Sequence, residues 1–260
     1  MAAAFQPLGE LNPLRMGLMW RDLFEDEFPT VEEQPAVTVQ FERFGPPALS
    51  EPTLRIERME KPPWPRLWLL SEDGAQLIQL QRDWLARNWR RVNGSGTYPR
   101  FPTLRDRFEA DIGRIGRYVA ERGWGEIVFT QCELTYFNHI DLQALGLGPG
   151  DIAEVLSLAA VPDNDEFLPS AELIQMNAQY LVSDGDRTIA RLYVTANPAL
   201  RREDRAPILV LTLSAKGPPM GADIDGVLQF FDIARAWIVR GFVNITRPNM
   251  HEHWGRRGEQ

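Results

Sequence analysis

The chain has 260 residues, of which 44% are apolar and 25% charged, with one cysteine and a formal net charge of −8. These are near the proportions of an ordinary globular protein, which argues against disorder and membrane residence, and no run reaches the ~18 apolar residues of a spanning helix. A lone Cys132 rules out an internal disulfide, the opening Met1–Phe5 is too short and weakly apolar for a secretion signal, and the acidic surplus repels phosphate backbones; a cytoplasmic protein without membrane association is expected.

Asn12-Pro13 reads as an N-cap followed by proline in the first turn. Leu14, Leu18, Leu23 and Phe24 then recur at helical spacing, flanked by Met19 and Trp20, which predicts a helix over 13–27 that Phe28-Pro29 ends. Val37, Val39 and Phe41 alternate with Thr38, Gln40 and Glu42, the period of a half-buried strand. Leu54, Ile56 and Arg58 suggest a second strand, and Pro62-Pro63-Trp64-Pro65 interrupts regular structure. The firmest hairpin joins 66–71 to 75–84 across Glu72-Asp73-Gly74. Asn93-Gly94-Ser95-Gly96 reads as a loop.

Leu104, Phe108, Ile112, Ile115 and Val119 lie three or four apart, predicting an amphipathic helix over 103–122 closed by Gly123. A long strand is expected over 126–137, with Asn138-His139 at its end. Residues 146–150 read as a connector, followed by a short helix over 150–159. Strands are expected over 172–182, 188–196 and 208–215, with a turn at Asp184-Gly185-Asp186. A helix over 221–240 and a last helical turn through Trp254 close the chain. Hairpins followed by helices point to an α+β fold, with antiparallel sheet and long amphipathic helices, over a doubly wound parallel sheet. The order of elements partly repeats. It suggests an N-terminal part over 1–145 and a C-terminal part over 146–260, packed as one compact unit and open to reading as two similar halves.

Residues 82–107 carry Arg82, Arg87, Arg90, Arg91, Arg100, Arg105 and Arg107, interleaved with Trp84, Trp89, Tyr98 and Phe101. Guanidinium forks bind phosphate, and aromatic rings stack on bases. The same pattern also arises when the rings are core and the arginines form a rim paired with Asp83, Asp106 and Glu109, and the acidic total charge favours that second reading. Asn138-His139 could orient a ligand or shuttle a proton; it could equally cap a turn through Asp141. His251 and His253 are two apart, which is not the i, i+4 spacing of helical zinc ligands, and Cys132 reads as buried packing. The candidate binding residues are therefore Arg82, Asn88, Trp89, Arg90, Tyr98, Asn138 and His139. No catalytic residue, metal ligand or cofactor is expected: the sequence holds no Gly-rich loop ending in Lys-Ser or Lys-Thr, no Gly-x-Ser-x-Gly and no Gly-x-Gly-x-x-Gly.

The runs Gln79-Leu80-Gln81-Arg82-Asp83, Asn88-Trp89-Arg90, Tyr98-Pro99, Phe108, and Leu134-Thr135-Tyr136-Phe137-Asn138-His139-Ile140 share an order and spacing with another group of proteins. Together with Trp20, Phe28-Pro29 and His253-Trp254-Gly255, they make the chain resemble, over about 14–257, a sporadically distributed bacterial family of uncharacterised proteins. The resemblance implies an apolar strand before the first helix, which Met1–Leu8 would supply in shortened form. It brings no activity or substrate with it. A sporadic distribution is typical of mobile genes, among them toxin–antitoxin and phage-defence components.

The expected function is a non-enzymatic protein-binding or interaction component, with another protein or a second copy as partner, because Trp, Tyr and Arg dominate interface hot spots. One alternative is a small-molecule or anion pocket between sheet and long helix, with or without catalysis. The other is nucleic-acid binding through 82–107.

Overall fold

The structure, a computed structural model, describes residues 1–45, 64–92, 97–158 and 169–254. Those residues form a mixed α+β chain. In order they are β1 (Ala2–Phe5), α1 (Pro13–Leu23), β2 (Thr30–Gln34), β3 (Arg66–Leu70), β4 (Gln76–Gln81), β5 (Trp84–Trp89), α2 (Phe101–Glu121) and β6 (Phe129–Asp141). Then come α3 (Ile152–Val155), β7 (Met176–Asp184), β8 (Arg187–Leu200), β9 (Pro207–Gly217), α4 (Ile224–Ile245) and α5 (Pro248–His253). The chain divides into two compact units, Met1–Glu133 with Gly217–Phe231, and Leu134–Lys216 with Asp232–Gln260. β6 and α4 each contribute residues to both.

In the first unit the strand order is β2-β3-β4-β5-β1-β6, and every neighbouring pair is antiparallel. The β3–β4 turn forms as expected: Gly74 takes a positive φ of 63°, and the Asp73 carboxylate accepts from the Ala75 N–H at 2.9 Å. The short apolar start of the chain is β1, seated between β5 and β6 with all four residues buried. On one face of the sheet Leu67, Leu69, Ile78, Leu80 and Leu85 are buried, and Arg87 on that face reaches α2. α2 turns Phe108, Ile112, Ile115 and Val119 inward, and Phe108 meets Phe231 edge-on at 5.2 Å. Gly123, at φ 65°, follows the helix end.

Several expectations are corrected here. The period-two run Val37–Glu42 is not a strand in the sheet. It forms neither helix nor strand, and backbone groups of Val37, Gln40 and Glu42 bond to two glutamine side chains, Gln81 and Gln131, in place of a neighbouring strand. α1 stops at Leu23 rather than 27, capped by the Asn12 side chain, which accepts from the Arg15 N–H at 3.0 Å. Its inward stripe is Met16 and Met19, both 0% exposed, whereas Leu14 is 82% and Leu18 42% exposed. The strand expected over 75–84 is two: β4 ends at Gln81, and Arg82-Asp83 turns the chain into β5. The strand suggested near Leu54 and the loop at Asn93–Gly96 lie outside the described residues.

In the second unit the order is β6-β9-β8-β7. β7 and β8 form a hairpin with Gly185 at φ 57° in the turn. Bonds join Thr135 to Ser214, Asn138 to Leu211 and Leu142 to Pro207, so β9 runs antiparallel to β6. Leu192, Val194, Ala196, Leu211, Leu213 and Ala215 share one buried face. Gly241 of α4 comes so close to that face that an added Cβ would sit 3.3 Å from Leu192 Cδ2. Two boundaries move here: β6 carries Asn138-His139 inside it rather than past its end, and the short helix over 150–159 is only the four residues of α3.

Candidate binding cleft of the first unit

A cleft of about 920 Å³ runs along α2, within the range of ligand-binding cavities, roughly 300–1,000 Å³. Its floor and sides are Ala110, Gly113, Gly116, Ile127 and Phe129, and charged side chains surround them. Asp106, Ala110, Gly113 and Arg117 follow one another at helical spacing, giving a line with an acidic end, a small-residue middle and a basic end. The line covers eleven residue steps, about 17 Å of helix.

One wall is a buried ion network. Arg87 of β5 and Asp111 of α2 form a direct ion pair with both side chains almost wholly out of solvent. Arg114 Nη2 donates to the other Asp111 oxygen at 2.7 Å, and Arg114 Nη1 donates to Glu27 at 2.9 Å. The Arg87 and Arg114 guanidiniums lie over the Phe28 and Phe24 rings, 5.5 and 4.8 Å from their centroids. Burial alone would lower the Arg114 pKa, but its bonds to Asp111 and Glu27 outweigh that and hold it above its ordinary value. The network therefore fixes the wall's shape: a carboxylate in this position is tolerated because two guanidiniums share it. At the same wall Arg87 Nη2 and Arg107 Nη1 both donate to Gln76 Oε1, at 2.8 and 2.5 Å.

The residues singled out from sequence lie elsewhere. Arg82 sits in the β4–β5 turn over the Trp64 ring, 5.1 Å from its centroid. Asn88 is on β5 and accepts from Gln79 Nε2 at 2.8 Å, within a half-buried cluster where Gln79 Oε1 also accepts from Arg66 and Trp68. Trp89 and Tyr98 meet edge-on at 5.2 Å, and the Arg90 side chain folds back to the Gly74 carbonyl at 2.9 Å. The structure thus brings Trp89 to Tyr98, while none of Arg82, Asn88, Trp89, Arg90 and Tyr98 lines the cleft. In the second unit Asn138 donates to the Leu211 carbonyl at 3.2 Å, and His139 is exposed on β6. His251 Nε2 lies 2.7 Å from Thr246 Oγ1, a bond that ties α5 to the end of α4. Cys132 is buried in β6, and burial pushes its thiol up, far from the thiolate range.

Sequence reading missed Asp111, Gly113, Arg114 and Gly116. Two signals were present. Asp111 lies three residues after Phe108 and four before Ile115, which places a charge in the apolar stripe of the helix. Two glycines stand in the interior of a 21-residue helix, where each is costly. No protein-family model, no curated protein and no solved structure matches this chain.

Proposed function

We propose that the protein is a non-enzymatic binding component and that a helical segment of a partner protein lies along α2 in the cleft of the first unit. The line Asp106–Ala110–Gly113–Arg117 carries this reading. A small-residue floor lets a second backbone approach closely. The opposite charges at its two ends orient a partner that is basic near Asp106 and acidic near Arg117, setting direction more than strength. The buried wall charges are paired with one another, although the Nε–H groups of Arg87 and Arg114 find no acceptor, so the surface offered to a partner is chiefly the floor and the rim. A partner-neutralising role of the kind suggested by the family resemblance falls within this reading.

Gly113→Trp tests it, because the new side chain fills the cleft while its Cβ meets only the flexible end of Arg117, at 3.6 Å. The wild-type chain and a control in the second unit, Asp186→Ala in the exposed β7–β8 turn, should capture the same host partner in pull-down and native mass measurements, and Gly113→Trp should lose it. Capture that is unaffected by Gly113→Trp, or a chain that captures nothing and stays monomeric, rules the reading out.

A second reading, a small-anion site, is favoured by the convergence of Arg87 and Arg107 on Gln76 Oε1, an oxygen that an anion's oxygen could replace. A rise in melting temperature with citrate or phosphate that Arg107→Ala abolishes would support it.

A further inference from the structure

Thr103, Asp106, Ala110, Gly113, Arg117 and Ala120 recur along α2 at alternate steps of three and four. That is the spacing of a helix–helix seam, which keeps one line of side chains toward a neighbouring helix. Gly113 is half-buried and the other five are exposed. Phe108, Ile112, Ile115 and Val119 are buried on the opposite side of the helix, so at about 100° per residue the seam points outward. Its middle holds nothing larger than a methyl group, and a second helix can approach to about 8 Å, the close end of helix packing.

The charges of α2 are balanced, four arginines against four carboxylates, so the helix does not share the acidic surplus that makes whole chains repel one another. Most of these groups are paired within the chain. Arg105 meets Glu109, Arg107 donates to Gln76, and Arg87 and Arg114 hold Asp111. The two charges on the seam differ: among the described residues, neither the Asp106 carboxylate nor the Arg117 guanidinium has a hydrogen-bond or ion partner. Their placement is symmetric. Asp106 and Arg117 are equidistant from the midpoint between Asp111 and Ile112; so are Ala110 and Gly113, and so are Thr103 and Ala120. A second α2 laid antiparallel about a two-fold axis through that midpoint therefore meets the first in register. Each Asp106 faces the Arg117 of the other copy, each Ala110 its Gly113, and each Thr103 its Ala120. A parallel arrangement would set Asp106 against Asp106 and Arg117 against Arg117, two like-charge contacts.

We infer that the helix seated on α2 is the α2 of a second copy of this chain, running antiparallel, and that the protein is a symmetric homodimer. The inference rests on the reading of the α2 face as a helix-docking site, and it names the occupant. That face calls for a helix that is basic near Asp106 and acidic near Arg117, and α2 reversed is such a helix. A contact that repeats itself about a two-fold axis closes at two copies, so this face builds a dimer and no larger assembly.

Sedimentation velocity of the full chain, from about 1 to 300 μM, should show a monomer–dimer equilibrium. Asp106→Arg alone and Arg117→Asp alone each set like charges in both contacts and should weaken the dimer on the order of tenfold. Both positions are exposed, so neither change touches the packed side of α2. Mixing the two single variants should restore association, because each offers the charge that the other lacks. Native mass measurement of the mixture, with one variant isotope-labelled, should find dimers of mixed mass. The double variant, Asp106→Arg with Arg117→Asp, should dimerise with itself as the wild-type chain does and pair poorly with the wild-type chain. Single variants that dimerise like wild type, or a mixture that associates no better than its components, overturn the inference. A wild-type chain that stays monomeric over the whole range overturns it too, and capture from the host then tells the two readings apart. A host protein captured by wild type and lost with Gly113→Trp leaves the docking site standing with another occupant; no capture at all removes the site as well.

Discussion

Asp111 shows how one residue sets the character of its surroundings. It sits in the inward stripe of α2 between Phe108 and Ile115, and it is stable there only because Arg87 and Arg114 hold its two oxygens. Desolvating such ions costs several kcal/mol, which their mutual attraction roughly offsets, so the network specifies geometry more than it adds stability. Removing one partner is a different matter. Asp111→Ala leaves two guanidiniums facing a void and should destabilise the chain by about 3–5 kcal/mol in urea unfolding. Replacing the pair together, Arg87→Met with Asp111→Leu, should recover most of that loss. A double variant as unstable as the single one would show that the pair is worth far more than its burial allows.

At the scale of elements, the glycines of the two long helices behave oppositely. A Cβ at Gly113 meets only the end of Arg117 at 3.6 Å, so the fold itself does not require glycine there. Gly113→Ala should raise stability by about 0.5–1 kcal/mol, the usual gain on replacing glycine inside a helix. At Gly241 the new Cβ would press on Leu192 Cδ2 at 3.3 Å, and alanine should lower the melting temperature despite its better helix propensity. Thermal unfolding of both variants checks the contrast. The sequence made α2 legible because its large apolar residues fall on one stripe and most of its exposed residues are charged. It made α1 misleading because that helix is apolar on two sides: Leu14 and Leu18 form one stripe, Met16 and Met19 another, and period alone cannot say which faces inward. Residues 37–42 misled for a related reason. Alternation predicts a strand, and here backbone groups of Val37, Gln40 and Glu42 bond to a pair of glutamine side chains instead.

For the whole molecule, the acid response follows from three carboxylates, Asp22 and Asp73 exposed and Asp141 half-buried. Bonds from Tyr118 and Arg21 hold Asp22 below its ordinary pKa; Ser71 and the Ala75 N–H do so for Asp73, and the Ala144 N–H and Arg201 for Asp141. A carboxylate with a depressed folded pKa contributes stability that is fully present above its unfolded value, about 3.9, and is lost as pH falls through the folded value. On this account the urea midpoint should decline below about pH 4, by a small amount per group because all three are solvated. Asp22→Asn combined with Asp141→Asn should flatten that decline.

The sequence by itself determined the α+β class, most strands and helices, and the hairpin turn at Gly74, since local pattern and turn chemistry act over a few residues. It also contained Asp111 and the α2 glycines as readable irregularities. The tertiary structure alone decided that β1 lies between β5 and β6, that Arg87 meets Asp111, and that Gln81 and Gln131 bond to residues 37–42. Each of those joins residues from 24 to more than a hundred positions apart. Their chemistry is ordinary in the sequence and takes on meaning only when strand order and register bring them together.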